Sequence, residues 1–353
     1  MSESVSGDDV AADTEARELL ETLVSIPSPT PEEDDCVAEL VSFFESHGRE
    51  VFVDDVGNVR APADDSVLYT SHIDTVPGDI PVRIEAGENG PELWGRGSVD
   101  AKGPLAALAV AAVRTGVSFV AVVGEEVDSR GARHLVEERN APEAVVNGEP
   151  SGWDGITLGY RGILSGTYLC TSESGHTSRP ENNAIQDAIA WWSAVEDRFD
   201  GDEYDPVFER VTPKPVSIEG GISDDGLAVE TTLEVQLRVP PRYSTEEIRE
   251  LAAGELEAGT VTWTDSVEPT MQSPRTPIAR AFRVAIRETG GDPRLLRKTG
   301  TADMNIYAGA WDCPMATYGP GDSDLDHAPN ERLELEELDR AVVVLEAVAE
   351  TLT

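Results

Sequence analysis

The sequence predicts an α/β protein: a three-layer α/β domain interrupted by an inserted α+β domain. Three observations predict it. Up to about Tyr160, apolar strand-like runs alternate with helix-like stretches, the pattern of helices packed on a sheet. From there to residue 271 the runs alternate apolar and polar residues, as half-exposed strands of an antiparallel sheet do. After about residue 272 the first texture resumes. A chain of 353 residues exceeds one ordinary core and suits two domains. The expected boundaries are 1–161 with 272–353 for the first domain and 162–271 for the insert.

In order along the chain, residues 11–24 place Leu19, Leu20, Leu23 and Val24 at helical spacing and end at IPSPTPEE. Residues 35–47 read as a second amphipathic helix. Short strands follow in EVFVDD, NVRAP and SVLYTSHID. PLAALAVAAVRT, 104–115, is alanine-rich and reads as a buried helix, with Pro104 tolerated in its first turn. VSFVAVVGEE is continuously apolar, as a strand buried on both faces is. A helix covers 130–139, and AVVNGEP is the next strand. Within the insert, 163–172 and 228–239 are strands, while 184–199 and 245–258 are helices. PIARAFRVAIRETG and CPMATYG then read as helix and strand, and a helix from Leu335 to Leu352 closes the chain.

Composition narrows the function class. Apolar content of 39% supports real cores, and no run approaches the roughly 20 apolar residues of a membrane span. The acidic start, MSESVSGDDVAADTEARELL, lacks the basic and apolar regions of a signal peptide, so a cytoplasmic location is expected. Cys36, Cys170 and Cys313 are too few and too scattered for a disulfide framework or a thiolate zinc site. Asp and Glu total 68 against 27 Lys and Arg, a net charge of −41, which repels nucleic acid and anionic membranes. The acids run along the whole chain rather than forming a tail. They read as adaptation to a very salty cytoplasm, where the Debye length falls to roughly 3 Å and like charges barely repel.

The chemistry-bearing residues gather where apolar strands end, the place where open α/β sheets bind ligands. SHID supplies His72 and Asp74, GRGSVDAKG supplies Asp100, VVGEEVDS supplies Glu125 and Glu126, VVNGEP supplies Glu149, and DLDHAPNE supplies His327. Two imidazoles with several carboxylates suit zinc or a similar divalent ion, cobalt and manganese included. Each residue has a plainer reading. His72 alone is a structural histidine, Asp100 a helix cap before Pro104, Glu125 and Glu126 a solvated loop, Glu149 a turn residue and His327 a surface histidine. Five strand-end sites in this order are hard to obtain by chance. His47 and His134 read as structural.

SHIDTVP, GRGSVDAKGPLA, GEEVDSRGA, the Glu149 position, GHTS and the late His327 together resemble the M20 metallopeptidases, a family that includes acetylornithine deacetylase, succinyl-diaminopimelate desuccinylase and carboxypeptidase G. KTGTADMN and GPGDSDLDHAPNE further resemble the archaeal and Thermus-type branch that releases lysine or ornithine from the amino-group carrier protein LysW. The resemblance implies a metallopeptidase-type catalytic domain with a ferredoxin-like lid and dimerisation insert. It implies two metal ions: His72 and Glu149 on one, Glu126 and His327 on the other, Asp100 on both. Asp74 would orient the His72 ring. Two divalent ions bring four positive charges against three from the carboxylates, and the excess favours hydroxide over water there. Glu125 is left as general base. His176, in GHTS, would stabilise the oxyanion from the partner subunit, and Arg238 would grip a substrate carboxylate. By plainer readings His176 is a loop histidine and Arg238 an exposed sheet charge. Asn183, Gly300, Thr301 and Asp303 are substrate-contact candidates, Asp303 equally a helix cap. The expected reaction is hydrolysis of the amide that links lysine or ornithine to the terminal glutamate of LysW. The alternatives are deacetylation, desuccinylation or small-peptide hydrolysis. An inactive metal-binding homologue is disfavoured because all five ligands and Glu125 are present.

Overall fold

A computed structural model describes residues 10–176, 178, 180–201 and 205–353. The first nine residues of the polar start read above as lacking a leader lie outside the described residues, as does Thr177 of the GHTS segment. The chain divides into two compact units. One comprises the chain up to Leu158, Gln272–Leu296 and Ile306–Thr353; the other comprises Gly159–Met271 and Arg297–Asn305.

The first unit is built on a mixed sheet. Its strands run in the order Phe52–Val53, Val59–Ala61, Val117–Val122, Asp64–His72, Val145–Gly148, Met315–Thr317, Gly155–Tyr160. The four central strands, from Val117–Val122 to Met315–Thr317, are parallel. Every residue of Val117–Val122 and of Val145–Gly148 is buried, so the sheet is covered on both faces, as the unbroken apolar runs require. Helix Lys102–Thr115 is buried from Lys102 to Ala112. Its alanines let it lie against Thr14–Val24, Leu335–Leu352 and strand Asp64–His72. A small antiparallel sheet of Arg83–Ala86, Pro91–Trp94 and Arg332–Glu334 joins the middle of the chain to its end. Among the described residues no helix is long and apolar enough to cross a membrane.

The second unit is a four-stranded antiparallel sheet, ordered Thr212–Ile222, Ala228–Val239, Gly162–Glu173, Thr260–Val267, with helices Ala184–Phe199 and Thr245–Gly254. Buried residues alternate along Gly162–Glu173 and Ala228–Val239, the signature of a sheet packed on one face. Tyr168 stacks on Trp191 in that core at 4.9 Å between ring centroids. The helix expected over 245–258 stops at Gly254, a poor helix former, and the chain turns at Gly259 with φ +77°. Arg297–Asn305, expected with the first domain, groups with the insert. Arg161 Nε donates to the Thr299 carbonyl at 2.9 Å, and Asn305 Nδ2 donates to the Glu268 carbonyl at 2.7 Å.

Candidate metal centre

The parallel strands deliver their carboxyl ends to one place. His72 ends strand Asp64–His72, Glu149 follows Val145–Gly148, and Glu125 and Glu126 follow Val117–Val122 after Gly124. Gly124 has φ +76°, where a side chain is strained, and this sharp turn replaces the extended backbone that would aim the two glutamates oppositely.

His72, Asp100 and Glu149 bring one donor atom each within 4.8 Å of one another, and so do Asp100, Glu126 and His327. Asp100 belongs to both groups through different oxygens. His72 Nε2 lies 3.2 Å from Oδ1, and His327 Nε2 lies 3.2 Å from Oδ2. His327 Nε2 is 3.1 Å from Glu126 Oε2, and His72 Nε2 is 3.9 Å from Glu149 Oε1. Donors about 2.1 Å from a tetrahedral ion stand about 3.4 Å apart, so these separations suit a shared cation. Asp100 does not cap the following helix: that helix starts at Lys102 without a side-chain cap.

Electrostatics ask for the same thing. Burial, and then the neighbouring Asp100 charge, push the Glu126 carboxyl up to about 6. Its Oε1 is buried without a hydrogen-bond partner. His327 is raised to about 9, chiefly by its contact with Asp100. Burial works against charge on His72, but Asp100 and Asp74 outweigh it and raise the ring well above its ordinary value. Three converging carboxylates, two imidazoles and an orphaned carboxylate oxygen are a donor set that a pair of divalent ions satisfies. His327 is also one of only two described non-glycine residues with positive φ, at 60°. Such strain is held at sites that over-determine it.

Asp74 is fully buried and has a second task beside its contact with His72. His72 Nδ1 donates to the Asp74 main-chain carbonyl at 2.9 Å, while the nearest carboxylate oxygen stands 3.6 Å away. The carboxylate instead accepts the successive main-chain N–H groups of Glu125 and Glu126, both at 3.0 Å, and the Thr30 hydroxyl at 2.5 Å. Burial opposes its charge, but these bonds and His72 hold it near 2. The profile of peptidase family M20/M25/M40 matches residues 68–351.

The chain belongs to this family.

It is therefore a metal-dependent hydrolase acting on amide bonds. The M20 chain is similar to a LysW-lysine hydrolase of Deinococcus radiodurans, 40% identical over 94% of this chain and 95% of that one. It is similar to a putative LysW-lysine/LysW-ornithine hydrolase of Thermococcus kodakarensis, 39% identical over 95% and 91%. Among solved structures, aminopeptidase PepT of Bacillus cereus shares the fold, with a TM-score of 0.79 at 20% identity over 98% of this chain and all of that one.

The remaining candidates of this M20 chain lie in the second unit. His176 is exposed in the loop after Gly162–Glu173. Its Nδ1 lies 3.2 Å from the Ser178 main-chain N–H, which donates to it. Arg238 is half-buried on Ala228–Val239, and Nη1 donates to Thr301 Oγ1 at 3.5 Å. Gly300 sits in open space beside it in sequence, and Asp303 is buried at the start of helix Asp303–Ala310. The Asn183 carboxamide oxygen caps helix Ala184–Phe199, accepting the Gln186 N–H at 3.0 Å. Sequence reasoning missed Thr30, which bonds the Asp74 carboxylate, and Arg96 and Glu331, which hold the backbone beside Asp100 and His327. Glu331 stood in the DLDHAPNE run, four residues beyond His327.

Proposed function

We propose that this chain hydrolyses the amide joining lysine or ornithine to the terminal glutamate of the carrier protein LysW. The observation that carries the hydrolytic part is Asp100, whose two oxygens each complete a separate donor group. The substrate part is supported by relatives at 40% and 39% identity over nearly the whole chain that are named for that reaction. His72 and Glu149 would hold one ion and Glu126 and His327 the other, with Asp100 between. Zinc suits this set, and cobalt fits it too. The pair would polarise the acyl oxygen and lower the pKa of a water.

The chain's own groups do the rest. Asp74 holds the Glu125–Glu126 turn by its two N–H groups, and this fixes where the Glu125 carboxylate stands. Glu125 takes a proton as the water oxygen attacks the acyl carbon. It returns that proton to the nitrogen as the carbon–nitrogen bond breaks. With Nδ1 accepting from Ser178, a neutral His176 carries its proton on Nε2, the tautomer an oxyanion donor needs. We place His176 at the partner's site in a homodimer, and Arg238 on the carboxylate of the substrate.

A substrate panel at multimolar salt tests the reading. LysW-linked lysine and ornithine, acetylornithine, succinyl-diaminopimelate and a dipeptide are compared by kcat/KM. Preference for the LysW-linked amides by tenfold or more supports the assignment. Preference for any other substrate replaces it.

A further inference from the structure

The two donor groups meet at Asp100 and His327, and neither residue sits on a strand or helix that would fix it. Asp100 lies in the turn after Pro91–Trp94. His327 is exposed, in a loop, with its backbone in the left-handed region. The two residues are 227 positions apart in the chain, yet their side chains stand 3.2 Å apart.

Glu331 explains how. Its side chain is fully buried, unusual for a carboxylate that is not itself a ligand. Oε1 accepts the main-chain N–H of Val99 at 2.9 Å and of Asp100 at 3.1 Å. Oε2 takes Arg96 Nη1 at 2.7 Å, and the same Nη1 donates to the Ala328 carbonyl at 3.2 Å. One buried carboxylate and one guanidinium thus tie the backbone of Asp100 to the backbone next to His327. The strand that Glu331 precedes, Arg332–Glu334, pairs with Pro91–Trp94 and brings both turns side by side. A buried ion pair of this kind adds little net stability over an apolar pair of the same volume. What it adds is geometry: charge-assisted bonds with fixed directions.

We infer that Glu331, with Arg96, is a positioning residue that sets the distance between Asp100 and His327 and so the affinity for the second of the two ions. This rests on the two-ion reading of the centre. Groups that orient ligands without touching the ion typically contribute 10–100-fold to metal affinity.

The test uses the full chain in high salt, stripped with chelator and retitrated with Zn2+ by calorimetry, and with Co2+ followed by its visible spectrum. Wild type, Glu331→Ala, Glu331→Gln and Arg96→Lys are compared, and thermal midpoints are taken for metal-free and metal-loaded protein. Glu331→Ala is expected to weaken the second ion by about 10–100-fold, to change the Co2+ spectrum and to shrink the metal-induced rise in midpoint. Glu331→Gln keeps an acceptor for the two N–H groups and should fall between. Arg96→Lys keeps a charge but moves it off the point from which Nη1 serves both Glu331 and Ala328, and it carries the test if Glu331→Ala does not fold. Variants whose metal-free and metal-loaded midpoints drop equally, with both dissociation constants within twofold of wild type, overturn the inference. A wild type that takes up fewer than two ions overturns the two-ion reading instead.

Discussion

At the scale of single residues, Glu125 and Asp74 divide a task that their neighbours conceal. Glu125→Gln removes the proposed proton carrier and leaves the proposed metal donors in place. Turnover is expected to fall by about 10²–10⁴-fold with zinc content unchanged by atomic absorption. Near-normal turnover would remove Glu125 from the mechanism. Asp74→Asn keeps one acceptor oxygen for the two N–H groups of Glu125 and Glu126. It should lower kcat by about 10–100-fold, the range seen for groups that orient a site from behind, while KM stays near wild type. The letters of the two donor groups were legible in the sequence because side chains bring them together, His72 and Glu149 at strand ends and Asp100 and His327 in loops. Thr30, Arg96 and Glu331 were not, because they act on a carboxylate or on main-chain groups across long stretches of sequence. The hold of Asp74 on the Glu125–Glu126 turn was not legible for the same reason: those bonds go to backbone that leaves no letter.

At the scale of elements, Arg114 binds three carboxylates from two segments: Asp13 at 2.6 Å and Glu15 at 2.8 Å at the start of the first helix, and Glu346 at 3.0 Å in the last. It ties the first helix to the last. Burial works to raise the Asp13 and Glu15 carboxyls, but the bonds from Arg114 prevail and hold both below their ordinary values. Groups depressed in this way stabilise the fold above the ordinary carboxylate range and lose that contribution as pH falls through their lowered values. Arg114→Gln should therefore cost about 1 kcal/mol at neutral pH. The gap to wild type should close below about pH 4, as read by chemical denaturation at fixed salt. A gap independent of pH would show that Arg114 acts by packing alone. Asn183 offers a cleaner division between structure and substrate. Asn183→Ser keeps the cap and Asn183→Ala loses it, at about 1 kcal/mol. If the residue only caps Ala184–Phe199, the two variants share one KM. Helix Ala184–Phe199 was legible to the residue, because its capping box is written in Asn183 and Gln186. Strand Thr212–Ile222 was not. It is exposed nearly throughout, its alternation is confined to Val216 and Ile218, and Pro213, Pro215, Gly220 and Gly221 read as loop. Edge strands tolerate prolines that central ones exclude.

At the scale of the whole molecule, a charge of −41 makes stability a function of salt. Between 0.1 and 1 M the Debye length falls from about 10 to about 3 Å, and the thermal midpoint should climb steeply over that range, then flatten. A midpoint indifferent to salt would show that the acids are matched locally rather than screened. The division into an α/β unit and an inserted sheet was legible from the change of texture near Tyr160. The return of Arg297–Asn305 to the insert was not, since a nine-residue segment is placed by the partners it meets in space.

The order of the parallel sheet has one more consequence. Met315–Thr317 is the strand between Val145–Gly148 and Gly155–Tyr160, in the middle of the sheet. On a ribosome this wedge emerges only after the whole insert, together with His327, Glu331 and helix Leu335–Leu352. Until then the nascent chain holds a sheet with its keystone missing and only one of its two donor groups. A partly made chain therefore brings together only one of the two donor groups, and the second forms only after the whole insert and this strand have been made.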